Sequence, residues 1–234
     1  MMEKIKLGVI GCSNRIKVLL NDKNFREKVE IAALLDPDPA RIADFRAAFN
    51  PEAREYHTYA DIVNDPKLPW IAVAGWNSVH AEASIAALNA GKNVFTEKPV
   101  ATNFSDCLKL AQAARDNKGA IMVGFSLRYA QLYHKIKQML ADGVVGKIVS
   151  MEFSENLGFN HGGHIMCCWR RKREFTGCHL LEKCCHDIDL ANWMVGERAS
   201  RVASFGGLNF FTPENEHHIE RIKPSSEGYR TYCA

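Results

Sequence analysis

The sequence predicts an α/β fold: a parallel sheet covered by helices on both faces, followed by a smaller, incomplete α+β region. Short β-rich runs alternate with helical stretches from Ile5 to Val123, the order that a doubly wound parallel sheet requires. The alternation stops after about Phe125, where longer helical patterns and a Gly- and His-rich stretch take over. The chain has 234 residues, 47% of them hydrophobic, which is enough for two cores. The expected domains are 1–125 and 126–234.

Ile5–Ile10 is an apolar-rich run that ends at Gly11, a strand entering a turn. Ile31–Leu35 is a second strand and ends at Asp36. Trp70–Ala74, Asn93–Thr96 and Ala120–Val123 follow as the third, fourth and fifth. Between them, Arg15–Asp22, Pro39–Phe49, His80–Ala90 and Ser105–Asp116 read as helices. Gly91 stands where one should stop, and Ser105 where one could be capped. Asn103-Phe104-Ser105 fits a glycosylation sequon but reads more simply as a helix start.

In the second half, Gln131–Leu140 reads as a helix, closed by Asp142-Gly143 and followed by a strand over Lys147–Ser154. Gly158–Gly163 reads as a loop, and a basic segment runs on to Gly177. An amphipathic helix is expected over Leu180–Val195 with Gly196 as its stop, then a further strand over Arg201–Gly206 and a polar tail from Phe211.

Composition excludes several classes. Thirty basic residues against 27 acidic give a net charge of +3, too little in so apolar a chain for disorder. No apolar run approaches the roughly 18 residues of a membrane span, and Met1-Met2-Glu3-Lys4-Ile5-Lys6 does not resemble a secretory leader. A cytoplasmic protein without a membrane partner is expected. The one dense basic cluster, Arg170-Arg171-Lys172-Arg173, is short and lacks interleaved aromatics. It reads as a solvated or anion-contacting loop, and no nucleic-acid partner is expected. Five of the eight cysteines fall between Cys167 and Cys185; without a leader or a short loop-rich chain they read as reduced thiols.

A strand that runs into glycine and then a helix is where a dinucleotide pyrophosphate can rest on backbone N–H groups. Here the turn is Gly11-Cys12-Ser13-Asn14-Arg15-Ile16, so only the first glycine of G-x-G-x-x-G is present. Ser13 is small enough for close backbone approach, whereas Ile16 alters helix–strand packing. Asp36 ends the second strand, where a carboxylate accepts hydrogen bonds from an adenosine ribose and repels a 2′-phosphate. That favours NAD over NADP; the alternative is a helix cap before Pro37.

Two further segments carry a family resemblance. Gly75-Trp76-Asn77-Ser78-Val79-His80 follows the third strand, and Glu97-Lys98-Pro99-Val100-Ala101 follows the fourth. With the glycine turn, their order and spacing resemble the glucose–fructose oxidoreductase, inositol dehydrogenase and MocA family, from Lys6 to about Gly207. The resemblance implies a Rossmann-type dinucleotide-binding domain and then a substrate domain, the latter incomplete here. It implies cofactor contacts from Gly11, Cys12, Ser13, Asn14, Arg15, Asp36, Trp76, Asn77, His80, Glu97 and Lys98. Pro99 matches a proline often cis in the family. Arg128 matches an arginine near the nicotinamide, and Trp169-Arg170 a loop that closes over substrate. Taken alone, a lysine beside proline at the carboxyl end of a parallel strand lies where such sheets bind ligands; the alternative is a surface lysine paired with Glu97.

Glu182, His186 and Asp189 are spaced to share one helix face, with Leu180, Cys184, Ile188, Ala191 and Val195 as an apolar stripe on another. An acid one turn from an imidazole can fix its tautomer for proton transfer. The family usually carries Asp where Glu182 stands. Cys178, His179, Cys184, Cys185 and His186 lack metal-ligand spacing, so no metal is expected; His161 and His164 read as substrate-loop residues.

The expected function is an NAD-dependent oxidoreductase acting on a secondary alcohol of a sugar, cyclic polyol or derivative. Lys98, His186 and Glu182 are the expected catalytic residues, and Arg128, Trp169, Arg170 and Asp189 hold the substrate. A glycosidase working through transient oxidation and a non-catalytic nucleotide-binding relative are the alternatives. Family members are longer, so a C-terminally truncated relative is expected, and homo-oligomers are what the family implies for the complete protein.

Overall fold

The structure, a computed structural model, describes residues 3–166 and 169–221. It divides into two compact units, residues 1–124 and 125–234. Among the described residues no helix is long and apolar enough to cross a membrane.

The first unit runs β1 (Ile5–Ile10), α1 (Asn14–Leu20), α2 (Lys23–Lys28), β2 (Val29–Leu35), α3 (Pro39–Ala48), β3 (Arg54–Glu55), α4 (Tyr59–Val63), β4 (Trp70–Val73), α5 (Asn77–Asn89), β5 (Asn93–Thr96), α6 (Phe104–Asp116) and β6 (Ile121–Val123). Its six strands are ordered β3-β2-β1-β4-β5-β6, and every pairing is parallel. Side chains along β1 alternate between two cores, as the two-residue strand period demands. Leu7 and Val9 join Ile16, Leu20, Ile42 and Phe45 on one face. Ile10 joins Ile62, Ile71, Ala83, Leu88, Val94 and Leu110 on the other. Each fully buried aliphatic side chain contributes about 1.5–3 kcal/mol, so both faces of the sheet are secured.

All five strands expected in this unit form. The short α2, β3 and α4 lie outside what periodicity reveals. α5 begins at Asn77 rather than His80, and α6 is capped by Asn103, whose Oδ1 accepts the Asp106 N–H at 2.9 Å, instead of by Ser105. Gly91 does end its helix, at φ +74°.

The second unit is helical among its described residues: a 3-10 turn (Ser126–Tyr129), α7 (Gln131–Ala141), α8 (Phe159–Met166), a 3-10 turn (Trp169–Arg171), α9 (Arg173–Thr176), α10 (His179–Val195) and a 3-10 segment (Pro213–Arg221). Three expectations are corrected here. Lys147–Ser154 and Arg201–Gly206 form no strands, because no described segment supplies the hydrogen-bonding neighbour a strand needs. Val149 and Phe205 stand 93% and 96% exposed as a result. The Gly158–Gly163 stretch is mostly the helix α8, not a loop. Phe159 packs against Phe210 and Phe211, and a Cβ at Gly162 would sit 3.3 Å from the Phe211 ring. Tertiary packing thus overrides the poor helix propensity of glycine.

The third correction concerns α10. Its buried residues are Glu182, His186, Leu190 and Met194, whereas Leu180, Ile188 and Val195 of the expected apolar stripe are exposed. The helix otherwise matches expectation. Cys178 caps it through its sulfur and the Leu181 N–H, and Gly196 ends it in the left-handed conformation. Cys12, Cys107, Cys178, Cys184 and Cys185 are free thiols; Cys167, Cys168 and Cys233 lie outside the described residues.

Candidate active site

Strand order reverses between β1 and β4, and the carboxyl ends of strands at such a switch point are where open parallel sheets bind ligands. Gly11 ends β1 at φ +87°, and a Cβ there would lie 2.2 Å from the Gly75 nitrogen at the end of β4. Both the dihedral and the close approach therefore require glycine. Ser13 caps α1, its Oγ accepting the Ile16 N–H at 3.4 Å. Ile16 itself is buried in the core beneath the turn, filling the place where the usual fingerprint has its third glycine.

The three expected cofactor loops are tied to one another within this unit. The His80 ring, buried on α5, has Nδ1 2.8 Å from the Pro99 carbonyl and Nε2 3.1 Å from the Gly75 carbonyl. Carbonyl oxygens only accept, so a neutral ring donates to one of them and an imidazolium to both. Arg15 Nε lies 3.6 Å from Oε1 of the buried Glu97, which links the β1 turn to the end of β5. Glu97 Oε2 in turn accepts the Lys98 N–H at 3.4 Å, and the Lys98–Pro99 peptide is cis. Asn77 is buried, Trp76 and Asn14 are exposed, and Lys98 is half-buried.

Asp36, at the end of β2, has a structural duty that spacing alone does not reveal. Its Oδ2 accepts the Cys12 N–H at 2.7 Å and its Oδ1 the Asp38 N–H at 2.9 Å. A carboxylate offers about four acceptor sites, so these two bonds leave capacity for a ribose hydroxyl while fixing the turn. Burial, and next the Asp36 charge, push the Cys12 thiol far above its ordinary range, so it stays protonated.

In the second unit, His186 is buried, and the Phe125 ring stands edge-on to it with centroids 5.9 Å apart. Glu182, one turn earlier, is also buried and has Oε1 3.4 Å from Arg170 Nε; the Arg170 guanidinium lies over the Trp169 ring at 4.7 Å. Arg128 and Asp189, both expected at substrate, grip each other. Nε and Nη2 of the arginine reach the two carboxylate oxygens at 2.6 Å each. This pairing raises the arginine pKa further against the opposing effect of burial. Trp193 covers the guanidinium at 5.5 Å. His161 and His164 fall in α8.

One group escapes the sequence. Lys183 donates to both oxygens of Glu155 and lies 3.9 Å from Asp187. Burial and the neighbouring Glu155 push the Asp187 carboxyl above its ordinary range. Only the four-residue spacing of Lys183 and Asp187 signals this cluster in advance.

The family resemblance implies NAD, and the residues at the switch point fit it. Gly11 allows close backbone approach, Ser13 is small, Arg15 supplies a partly exposed cation, and Asp36 keeps free acceptor capacity.

Comparison with known proteins agrees with the expected fold and cofactor class. Residues 5–125 match the oxidoreductase family described as an NAD-binding Rossmann fold, and residues 137–225 match that family's C-terminal alpha/beta domain. The YteT protein of Bacillus subtilis, named as an oxidoreductase, is 31% identical over 199 residues, covering 83% of this chain and 46% of that protein. The inositol 2-dehydrogenase of Salmonella typhimurium is 29% identical over 194 residues, covering 82% of this chain and 54% of the enzyme. The crystal structure of scyllo-inositol dehydrogenase from Lactobacillus casei superposes with a TM-score of 0.71 at 22% identity, covering 83% of this chain and 55% of that one. The chain thus spans about half the length of the relatives it matches.

Proposed function

We propose that this chain, which belongs to the glucose–fructose oxidoreductase, inositol dehydrogenase and MocA family, serves an NAD-dependent oxidoreductase acting on a secondary alcohol of a sugar, cyclic polyol or derivative. The observation that carries the proposal is the tying together of the Gly11, Gly75 and Pro99 loops at the switch point, through His80 and the Arg15–Glu97 pair. The naming of relatives as inositol dehydrogenases supports the substrate class.

Gly11, Ser13, Arg15 and Asp36 hold NAD, and the Asp36 carboxylate disfavours a 2′-phosphate. When bound, NAD supplies the hydride acceptor. His186 takes the hydroxyl proton, for which its imidazole must be neutral. The Lys98 ammonium stabilises the oxygen as negative charge develops on it. Glu182, paired with Arg170, lies one turn from His186 and orients its imidazole. Arg128, Trp169 and Asp189 position the substrate.

The test is a titration of the folded chain with NADH and NADPH, read by energy transfer from tryptophan, with circular dichroism as the folding control. Binding with NADH preferred is expected. A folded chain that binds neither nucleotide, or prefers NADPH, overturns the cofactor assignment.

A further inference from the structure

The basic segment Arg170–Arg173 separates into two parts. Arg170 is used internally, against Glu182 and over Trp169. Arg171, Lys172 and Arg173 are exposed, and among the described residues none of the three forms an ion pair. Glu174 is the single acid between Trp169 and Gly177. Lys172 lies 5.8 Å from the Phe175 ring, a contact that leaves its charge in place.

This segment is anchored. The Thr176 hydroxyl lies 3.1 Å from each of the Arg170 and Lys172 carbonyls, and Gly177 turns the chain at φ +83° into the Cys178 cap of α10. Three basic residues thus stand in succession on a short anchored bend that packs against the helix bearing His186. An anion among three like charges on successive residues relieves their mutual repulsion. Charge-assisted contacts from guanidinium groups suit a carboxylate or a phosphate.

We propose that Arg171, Lys172 and Arg173 form an anion-reading subsite, and that the alcohol oxidised here carries a carboxylate or phosphate group, as an acidic or phosphorylated sugar does. The proposal rests on the dehydrogenase assignment for its substrate but on the second unit alone for its site.

The experiment titrates the folded chain, with and without NAD, with glucuronate, galacturonate and glucose 6-phosphate, and with neutral glucose, galactose and myo-inositol. Binding is read by tryptophan fluorescence in low salt and again in high salt. Carboxylated or phosphorylated sugars should bind about tenfold more tightly than neutral ones. The preference should shrink in high salt and disappear in the R171Q/K172Q/R173Q variant, whose NADH affinity should match the parent's. The uronate and phosphate arms separate the two anion sources. Equal binding of charged and neutral sugars, binding of neither, a preference that survives in the variant, or displacement of the sugar by sub-stoichiometric heparin each overturns the subsite. Selective anion binding by a chain that fails to bind NADH retains the subsite and removes the dehydrogenase assignment.

Discussion

The two units treat their apolar residues in opposite ways. In the first, Ile71, Val73, Leu88 and Val94 are sealed between sheet and helices, and the polar groups gather at the strand ends. In α10 of the second, Glu182 and His186 are buried alongside Leu190 and Met194, while Leu180 and Ile188 face outward with Val149, Val202 and Phe205 exposed elsewhere in the unit. A doubly wound sheet satisfies its own hydrophobic pattern. The second unit carries more apolar surface than its described residues cover, and its best-sheltered helix face bears ionisable groups.

The largest expected effect tests whether that sheltered face is chemical. Replacing His186 by Ala should lower NAD-dependent turnover by about 10²–10⁴-fold while NADH affinity stays within about twofold. Equal losses of turnover and affinity would instead mark a folding defect. On the side of the first unit, Gly11→Ala meets both a positive φ and the Gly75 backbone. It should cost about 2–5 kcal/mol in urea unfolding and abolish NADH binding; a variant of parental stability would mean that the turn relaxes freely.

A paired truncation sharpens the contrast within α10. Leu190→Ala, at a position 0% exposed, should cost about 2–4 kcal/mol, and Ile188→Ala, at 54% exposed, under about 0.5 kcal/mol. Comparable costs would show that the outer face is covered in solution. The smallest effect concerns pH. The Tyr56 hydroxyl donates to Asp65 at 2.7 Å and is the main cause holding that carboxyl below its ordinary value, against the opposing effect of burial. A depressed pKa contributes stability that is present above the unfolded-state value and lost as pH falls through the folded one. Tyr56→Phe should therefore cost about 0.5–1.5 kcal/mol near neutrality and flatten the acid limb of the stability profile below about pH 4.

The longer strands of the first unit were legible because apolar runs there end at residues with a clear local role, as at Gly11 and Asp36, whereas Lys147–Ser154 and Arg201–Gly206 carry apolar residues but form no strand. The helix boundary at Gly196 was legible for the same reason. Which face of α10 turns inward was not, since amphipathic spacing marks two faces but not which of them meets a partner. α8 was hidden because Gly162 is accommodated by Phe211, a ring brought there by tertiary folding. At the candidate site, the spacing of the motif residues was legible while their mutual bonds were not. Arg128 with Asp189 and Glu155 with Lys183 are pairs far apart in sequence, and only packing brings such residues together.

The buried His80 ring acts as a gauge block. Two carbonyls from different loops rest on its two nitrogens, so the rigid width of the imidazole fixes the gap between the Gly75 and Pro99 backbones. Flexible amides such as Asn or Gln present their polar atoms at another spacing and cannot keep both carbonyls where they are. Substitution at His80 is therefore expected to shift the register of the Glu97–Lys98 backbone while leaving those side chains chemically intact.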